Sequence, residues 1–579
     1  MRTCLVPWSQ FPTQKEQNMP LLHWINDDAA RRAASEVPFH ILERKAVYGD
    51  PEQAKDNLIV HGDNLVALKA LLPFYKGKVK CIYIDPPYNT GSAFEHYDDN
   101  LEHSQWLSMM YPRLELLREF LSEDGSIWVS IDDREEAFLK VILDELFGRN
   151  RLIANISWQR TYSMRNDSKG IPSECEHILV YGKSGEWIPN RLPRTQEMNS
   201  KYSNPDNDPL GDWQNTSAFA PGGATHQGMV YAIQHPFTGA YLYPTADAHW
   251  RYSQEDMLKY MNAWCPYILK DLHDEDKRSA VCGIQPDKIK SDVKGIVLEK
   301  TLKESKEIAK KILETGPWPR FFFTKKGLGG IRRKTYLANV PGKIASNLWL
   351  FDEVGHTDEA KKENLALFGQ EAFATPKPER LIQRVLTIAT TPGDLVLDSF
   401  LGSGTTAAVA HKMGRRYIGI EMGNHAMTHC VPRLEKVIAG EQGGISESVN
   451  WQGGGGFSFC ELSAPVFDKF GSINPEVPFK TLAAYLWQSE TGTAGTFEKK
   501  PFLGSKDGVA IYLLYNGVLG DMRPEGGNVL TPKLLQSLLE QYPHDGPKTI
   551  YAEAMIGLDP LELRAKQVTF KQIPYDIRS

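Results

Sequence analysis

The chain has 579 residues, 41% of them hydrophobic and 10% aromatic, with a formal net charge of −6. That length holds about two to four domains, and the acidic balance excludes a generally basic nucleic-acid coat while leaving room for a local basic surface. Seven cysteines stand apart without a Cys-x-x-Cys pair, which excludes a zinc ribbon or a disulfide framework and fits a reducing compartment; no apolar run approaches membrane-spanning length and no leader opens the chain, so the cytoplasm is the expected location.

Residues 1–18 carry no pattern, and 1–44 are taken as an N-terminal extension. The run Leu58 to Asn64 is a strand, a turn and a helix start; Asp63 is then either a cap or Asx turn, or a ligand contact. The next strand, Val79 to Ile84, ends abruptly in Asp85-Pro86-Pro87-Tyr88-Asn89-Thr90-Gly91. An apolar run bounded by breakers predicts a buried strand of a parallel sheet. Asp85 then lies at its carboxyl end, where open α/β sheets bind ligands. Two consecutive prolines fix φ and donate no hydrogen bond, so the loop is stiff and its carbonyls stay available. An acid, a rigid carbonyl and an aromatic face at one point suit the exocyclic amine of a planar base. The ring stacks on Tyr88, and the amine hydrogens go to Asp85 and the Pro86 carbonyl, which frees a nitrogen lone pair otherwise delocalised into the ring.

A Glu95–Asn100 acidic turn follows, then a helix over about His103 to Leu121, kinked at Pro112, with Trp106, Met109, Met110, Leu114 and Leu117 on its core side. Further on come a strand over Gly125 to Asp132, a helix over Glu135 to Phe147, and a strand pair, Ile153 to Trp158 with His177 to Tyr181. On the loop between that pair, Arg160, Arg165 and Lys169, with Tyr162 and Asn166, either touch a nucleic acid or are simply solvated.

Residues 183–373 break the strand–helix rhythm and are taken as an insert, with a charged helix over Glu299 to Leu313. Between Gly316 and Phe351 there are seven basic residues and no acid, among them Arg332, Arg333 and Lys334, interleaved with Trp318 and Phe321 to Phe323. This window is either a phosphate-tracking, groove-reading surface or a solvated basic face.

The stretch 374–440 restores the α/β pattern. Lys377-Pro378 precedes a helix over Leu381 to Thr390, and the strand Leu395 to Asp398 runs into Ser399-Phe400-Leu401-Gly402-Ser403-Gly404-Thr405. A helix follows from Thr405 to Met413, then the strand Tyr417 to Glu421, whose terminal acid stands where a ribose-binding carboxylate would. Residues 441–579, opened by a glycine-rich joint over Glu441 to Gly456 that is clearest at Gly453 to Gly456, are taken as a C-terminal α+β domain; they carry a strand over Ala510 to Leu514, a helix over Thr531 to Gln541 and no motif tied to chemistry.

Together, the Asp-Pro-Pro-Tyr loop and the glycine loop resemble the amino-methyltransferases of DNA, which bind S-adenosylmethionine at the glycine loop and methylate adenine N6 or cytosine N4. The catalytic strand precedes the cofactor strand, with the insert between them, an order similar to that of the β-group enzymes. The expected fold is therefore a permuted Rossmann-like α/β sheet, with 45–182 as its catalytic half, 374–440 as its cofactor half and 183–373 as a target-recognition insert. Asp85 before the prolines is the adenine-N6 habit of the family. His103-Ser104-Gln105-Trp106, Glu353-Val354-Gly355, Glu359-Ala360-Lys361, Glu441-Gln442-Gly443-Gly444 and Phe570-Lys571-Gln572-Ile573-Pro574 narrow the resemblance to modification subunits of type III restriction systems. Met19-Pro20-Leu21-Leu22-His23-Trp24 is similar to that family's usual opening.

The resemblance implies catalytic roles for Asp85, Pro86, Pro87 and Tyr88. The basic window offers Arg332, Arg333 and Lys334 as DNA contacts, and the resemblance implies cofactor contacts for Asp63, Lys377, Pro378, Asp398, Phe400, Gly402, Gly404, Thr405 and Glu421. It also implies duplex DNA as substrate, a homodimer, a helicase-nuclease partner and no metal, since the sulfonium leaves as a neutral group. The target base has to be flipped out of the duplex. Competing classes are an orphan enzyme, cytosine-N4 specificity, an RNA or protein methyltransferase, and a non-catalytic DNA-binding protein. A self-contained restriction enzyme is disfavoured by the lack of a Gly-x4-Gly-Lys-Ser/Thr phosphate loop.

Overall fold

The computed structural model describes residues 21–89, 102–162, 170–467 and 472–573. The expected acidic turn at Glu95–Asn100, together with Thr90, Gly91, Arg165, Asn166 and Lys169, lies outside them. The chain divides into two compact units, Arg191–Ile344 and, on either side of it in sequence, Met1–Asn190 with Ala345–Ser579.

The larger unit is built on a sheet whose strands are β1 (His40–Gly49), β2 (Leu58–His61), β3 (Val79–Ile84), β4 (Leu121–Ile131), β5 (Leu152–Gln159), β6 (Cys175–Gly182), β7 (Leu348–Trp349), β8 (Leu395–Asp398), β9 (Arg416–Glu421) and β10 (Gly456–Pro465). Their spatial order is β1-β10-β2-β9-β8-β3-β4-β6-β5-β7. From β10 through β4 all neighbours are parallel, while β1, β6 and β5 add antiparallel pairs. The composition explains the arrangement. Cys81 to Ile84 and Leu395 to Asp398 are buried throughout, as strands covered on both faces require.

Helices cover those faces. His103–Phe120 stays one helix across Pro112 and buries Trp106, Met110, Leu114 and Leu117 at or near zero exposure, while Met109 is only partly buried. Glu379–Ala389 buries Leu381, Ile382, Val385, Leu386 and Ile388. These elements match the sequence expectations to within a few residues.

Three boundaries differ from the expected ones. The strand β7 pairs with β5, so the end of the expected insert belongs to the larger unit. The strand β10, expected in the C-terminal domain, lies between β1 and β2 in the central sheet. The expected extension 1–44 contains the helix Asp27–Glu36, where Arg31 donates to the Tyr111 hydroxyl at 2.9 Å and pairs with Glu145. Beyond β10, Phe502–Lys506, Val509–Leu513, Lys548–Ala552 and Val568–Gln572 form a separate four-stranded sheet, packed with Phe479–Thr491.

In the smaller unit, Trp213–Ser217, Ile331–Tyr336 and Phe321–Phe323 form a three-stranded sheet. The helix expected over Glu299 to Leu313 runs from Leu302 to Thr315 behind a capping box made by Thr301 and Glu304. The aromatic part of the basic window is core. Phe321, Phe322 and Phe323 are buried against Trp213, Trp264 and Phe237, because strand pairing leaves a short apolar run no polar face to turn outward.

Candidate active site

The glycine loop and the Asp-Pro-Pro-Tyr loop leave the sheet side by side. The strands β3 and β8 are parallel neighbours, with Val396 opposite Cys81 and Leu397 opposite Ile82. Asp398 and Asp85 therefore emerge at the same carboxyl edge, although over 300 residues separate them in sequence. Between the loops lies a cleft of about 400 Å³. Of the expected site residues, Asp85, Pro86, Pro87, Tyr88, Lys377, Asp398, Phe400, Gly402 and Thr405 line it.

The Asp-Pro-Pro-Tyr loop is held from behind, where the Trp106 indole N–H donates to the Pro87 carbonyl at 2.7 Å. In front, the Tyr88 hydroxyl donates to Asp85 Oδ1 at 2.7 Å. Lys377, expected as a wall of the cofactor pocket, stands on Asp85. Its Nζ lies 2.7 Å from each Asp85 oxygen, 2.9 Å from the Tyr88 hydroxyl and 4.9 Å from the Tyr88 ring centroid.

A second carboxylate completes the group. Glu176, near the start of β6, accepts from the Tyr88 hydroxyl at 3.1 Å and from Arg160 Nη1 at 3.1 Å, and lies 3.6 Å from Lys377 Nζ. Glu176 is absent from the residues that the sequence singles out. Its only sequence signal is an acid at the second position of a strand whose later residues, Ile178 to Gly182, are all buried, where an unpaired charge would be costly. Burial pushes the Asp85 carboxyl above its ordinary range; Lys377 pulls it back and Glu176 pushes it further up. Burial also acts against the Lys377 ammonium, but Asp85 and Glu176 outweigh it and keep it charged.

The glycine loop needs its glycines at two points. Gly402 and Gly404 have φ of 56° and 80°, in the left-handed region, and a Cβ on Gly404 would sit 3.2 Å from Cys430 Cα. Asp398 accepts the Phe400 N–H at 2.9 Å, and burial without a cationic partner raises its carboxyl to about 7. Glu421 is directed back at the loop, accepting the Gly402 N–H at 2.8 Å and the Gly423 N–H at 2.9 Å. Thr405 Oγ1 accepts from Arg433 at 2.8 Å, and the other end of that guanidinium reaches Glu379 at 2.9 Å. Glu379 also accepts from Lys412 at 2.8 Å, so a buried ionic chain clamps the helix that starts at Thr405. Gly444 lies against this chain, where a side chain would collide with the Glu379 carboxylate.

The remaining expected residues stand elsewhere. Asp63 caps the helix Asn64–Tyr75, accepting from Leu65 and Val66 and pairing with Arg113 at 2.9 Å. Pro378 is the N-cap residue of the helix Glu379–Ala389. Of the basic triplet on Ile331–Tyr336, Arg332 is exposed and Arg333 half-buried. Lys334 is sealed in, paired with Asp206 and with Asp208 at 2.5 Å. It is thus withdrawn from any DNA contact, because strand alternation turns it away from Arg333 and two acids neutralise it. No group of His, Cys, Asp and Glu suited to a metal ion occurs among the described residues, and no helix among them is long and apolar enough to cross a membrane.

Comparison with known proteins agrees with this geometry. A probable type III restriction-modification enzyme Mod subunit, HindVI, of Haemophilus influenzae is 34% identical over 75% of this chain and 58% of its own length. The StyLTI Mod subunit of Salmonella typhimurium is 30% identical over 67% of this chain and 55% of its own. The type II methyltransferase M.KpnI of Klebsiella pneumoniae is 28% identical over 68% of this chain and 86% of its own. The chain thus spans somewhat more than half the length of the two Mod relatives. A family model described as DNA methylase, for N6 and N4 enzymes, matches residues 79–431, from the start of β3 past the glycine loop and β9. With both diagnostic loops inside that match and side by side at one sheet edge, the chain belongs to the N6/N4 DNA methylase family.

Proposed function

We propose that this chain is a site-specific DNA methyltransferase that moves a methyl group from S-adenosylmethionine to adenine N6 in duplex DNA, as the modification subunit of a type III restriction-modification system. The observation that carries this reading is the pairing of Asp85 with the Gly402–Thr405 turn across one cleft. Asp rather than Ser before the prolines favours adenine, and the Mod relatives favour the type III setting.

The residues present suit the cofactor. Two left-handed glycines let a ligand approach the backbone closely, and the Asp398 and Glu421 carboxylates at adjacent strand ends can take its polar groups. When bound, S-adenosylmethionine supplies an electrophilic methyl on a sulfonium that departs as a neutral thioether. The protein's task is positioning. Tyr88 offers a ring face to the flipped base. A carboxylate has about four lone-pair sites. Lys377 takes two on Asp85 and Tyr88 one, which leaves one for an amine hydrogen beside the rigid Pro86 carbonyl. Arg332 and Arg333 present charge for phosphates. The partners are duplex DNA, a second copy of the chain and a helicase-nuclease subunit, and the cytoplasm is the compartment.

The test is to sequence, with a methylation-sensitive method, DNA from cells expressing only this chain. N6-methyladenine at one short recurring sequence is expected; N4-methylcytosine, or no mark, would overturn the reading.

A further inference from the structure

Methyl transfer to an exocyclic amine leaves a proton to dispose of. The nitrogen arrives with two hydrogens and, after forming the N–CH3 bond, carries a positive charge until one N–H bond breaks. In the cleft, the Tyr88 hydroxyl bridges Asp85 Oδ1 at 2.7 Å and Glu176 Oε2 at 3.1 Å. One hydroxyl hydrogen cannot serve two acceptors fully, so this is a place where a proton can hop. We propose, building on the methyltransferase reading, that Asp85, Tyr88 and Glu176 form a proton relay, and that Glu176 is the residue that finally holds the proton taken from the methylated amine.

The step balances as follows. The N–H bond of the methylated aminium breaks and an O–H bond forms on Asp85 Oδ2, the oxygen with an acceptor site left, and a turn of the carboxyl about its Cβ–Cγ bond brings that O–H to the Tyr88 oxygen. Asp85 passes that proton to the Tyr88 oxygen as the Tyr88 proton moves to Glu176. Asp85 and Tyr88 end unchanged, the amine is neutral, and Glu176 carries one proton, which water at the cleft removes. The groups facing Glu176 fit this role. Arg160 Nη1 at 3.1 Å and Lys377 Nζ at 3.6 Å face its carboxylate, and the like charges of Asp85 and Asp132 act on it as well. Lys377, bonded to both Asp85 oxygens, keeps Asp85 an acceptor until the amine becomes cationic. Glu176 lines the cleft, so its proton has a way out.

Substitution separates a relay from an anchor. In Glu176→Gln the amide oxygen can still accept the Tyr88 hydroxyl, but the side chain cannot hold the proton. Full-length protein would be mixed in excess with methylation-free amplified duplex DNA and radiolabelled S-adenosylmethionine, and the single-turnover rate followed across pH. Glu176→Gln and Tyr88→Phe should each slow transfer by about 10²-fold, the low end for general acid–base catalysis, and the double variant should be no slower than either. Glu176→Asp should recover part of the rate, and the rise of rate with pH in the parent should be flat in Glu176→Gln. A Glu176→Gln variant at parental rate with the parental pH profile would overturn the relay. So would equal slowing in Glu176→Gln and Glu176→Asp with cofactor affinity intact, since that marks packing. An Asp85→Ala control separates the two readings: if it stays active, the methyltransferase site itself is misassigned, whereas if it is inactive and Glu176→Gln is not, only the relay fails.

Discussion

Lys377 in the larger unit and Lys334 in the smaller one are built from the same parts. Each ammonium stands 4.9 Å from an aromatic centroid, Tyr88 for one and Trp213 for the other, and each faces two acids. The difference lies in what else the acids hold. Asp206 also accepts the Trp213 indole N–H and the Trp318 backbone N–H, while Asp208 accepts from Tyr336 and Leu210, and the Lys334 side chain has no exposure. Burial works against the Asp208 carboxylate, but these donors outweigh it and hold it below its ordinary range. Around Lys377 the acids line a cleft, and Asp85 keeps an acceptor site toward it. A saturated ion pair is a structural fastener; the same pair with one site left open toward a cavity is a place for chemistry.

The largest expected break of the comparison is Asp85→Ala. It should lower single-turnover methyl transfer by about 10³-fold, the scale of losing a preorganised polar contact to the reacting group. Calorimetric affinity for S-adenosylmethionine should stay near that of the parent. Next comes Lys334→Met, which strands two buried acids and should destabilise the smaller unit by about 3–5 kcal/mol in denaturant unfolding. Lys377→Met, whose acids can reach water, should cost stability much less and rate more.

Asp398 sharpens the same contrast, as a buried acid with no ammonium. Its folded pKa of about 7 stands above the unfolded value of about 3.9, so the folded state binds the extra proton between those limits. Stability should therefore fall as pH rises from about 4 to 7, and Asp398→Asn should flatten that slope in unfolding titrations. The smallest effect is expected from Arg332→Ala with Arg333→Ala, the neighbours of Lys334. DNA affinity should weaken modestly, with a salt slope shallower by about one unit for each phosphate that is no longer neutralised. An unchanged slope would make them a solvated face.

These contrasts also mark what sequence reveals. The loops around Asp85 and Gly402 are legible because prolines and glycines impose backbone geometry locally, and the parallel strands because burial on both faces leaves an unbroken apolar run. The fate of Lys334 is not legible, because it depends on acids more than a hundred positions upstream. Glu176 escapes notice for the same reason. Its partners, Tyr88, Arg160 and Lys377, come from three separate segments, and only the closed sheet brings them together. The strand β10 is misplaced by sequence because a glycine-rich joint looks like a domain boundary, whereas Gly453, Gly454 and Gly455, all at positive φ, lead the chain straight back into the sheet.

The strand order sets a timetable for synthesis. The strand β2 has β9 and β10 as its two neighbours, and both are made long after it. As the chain leaves the ribosome, β1 and β2 wait with bare edges while all of 191–344 emerges, a stretch with its own core that can close in the meantime. Only when residue 465 has emerged can the central sheet be completed. A premature stop anywhere before β10 therefore releases a chain with unpaired strand edges on β1 and β2, the feature that invites pairing with other chains.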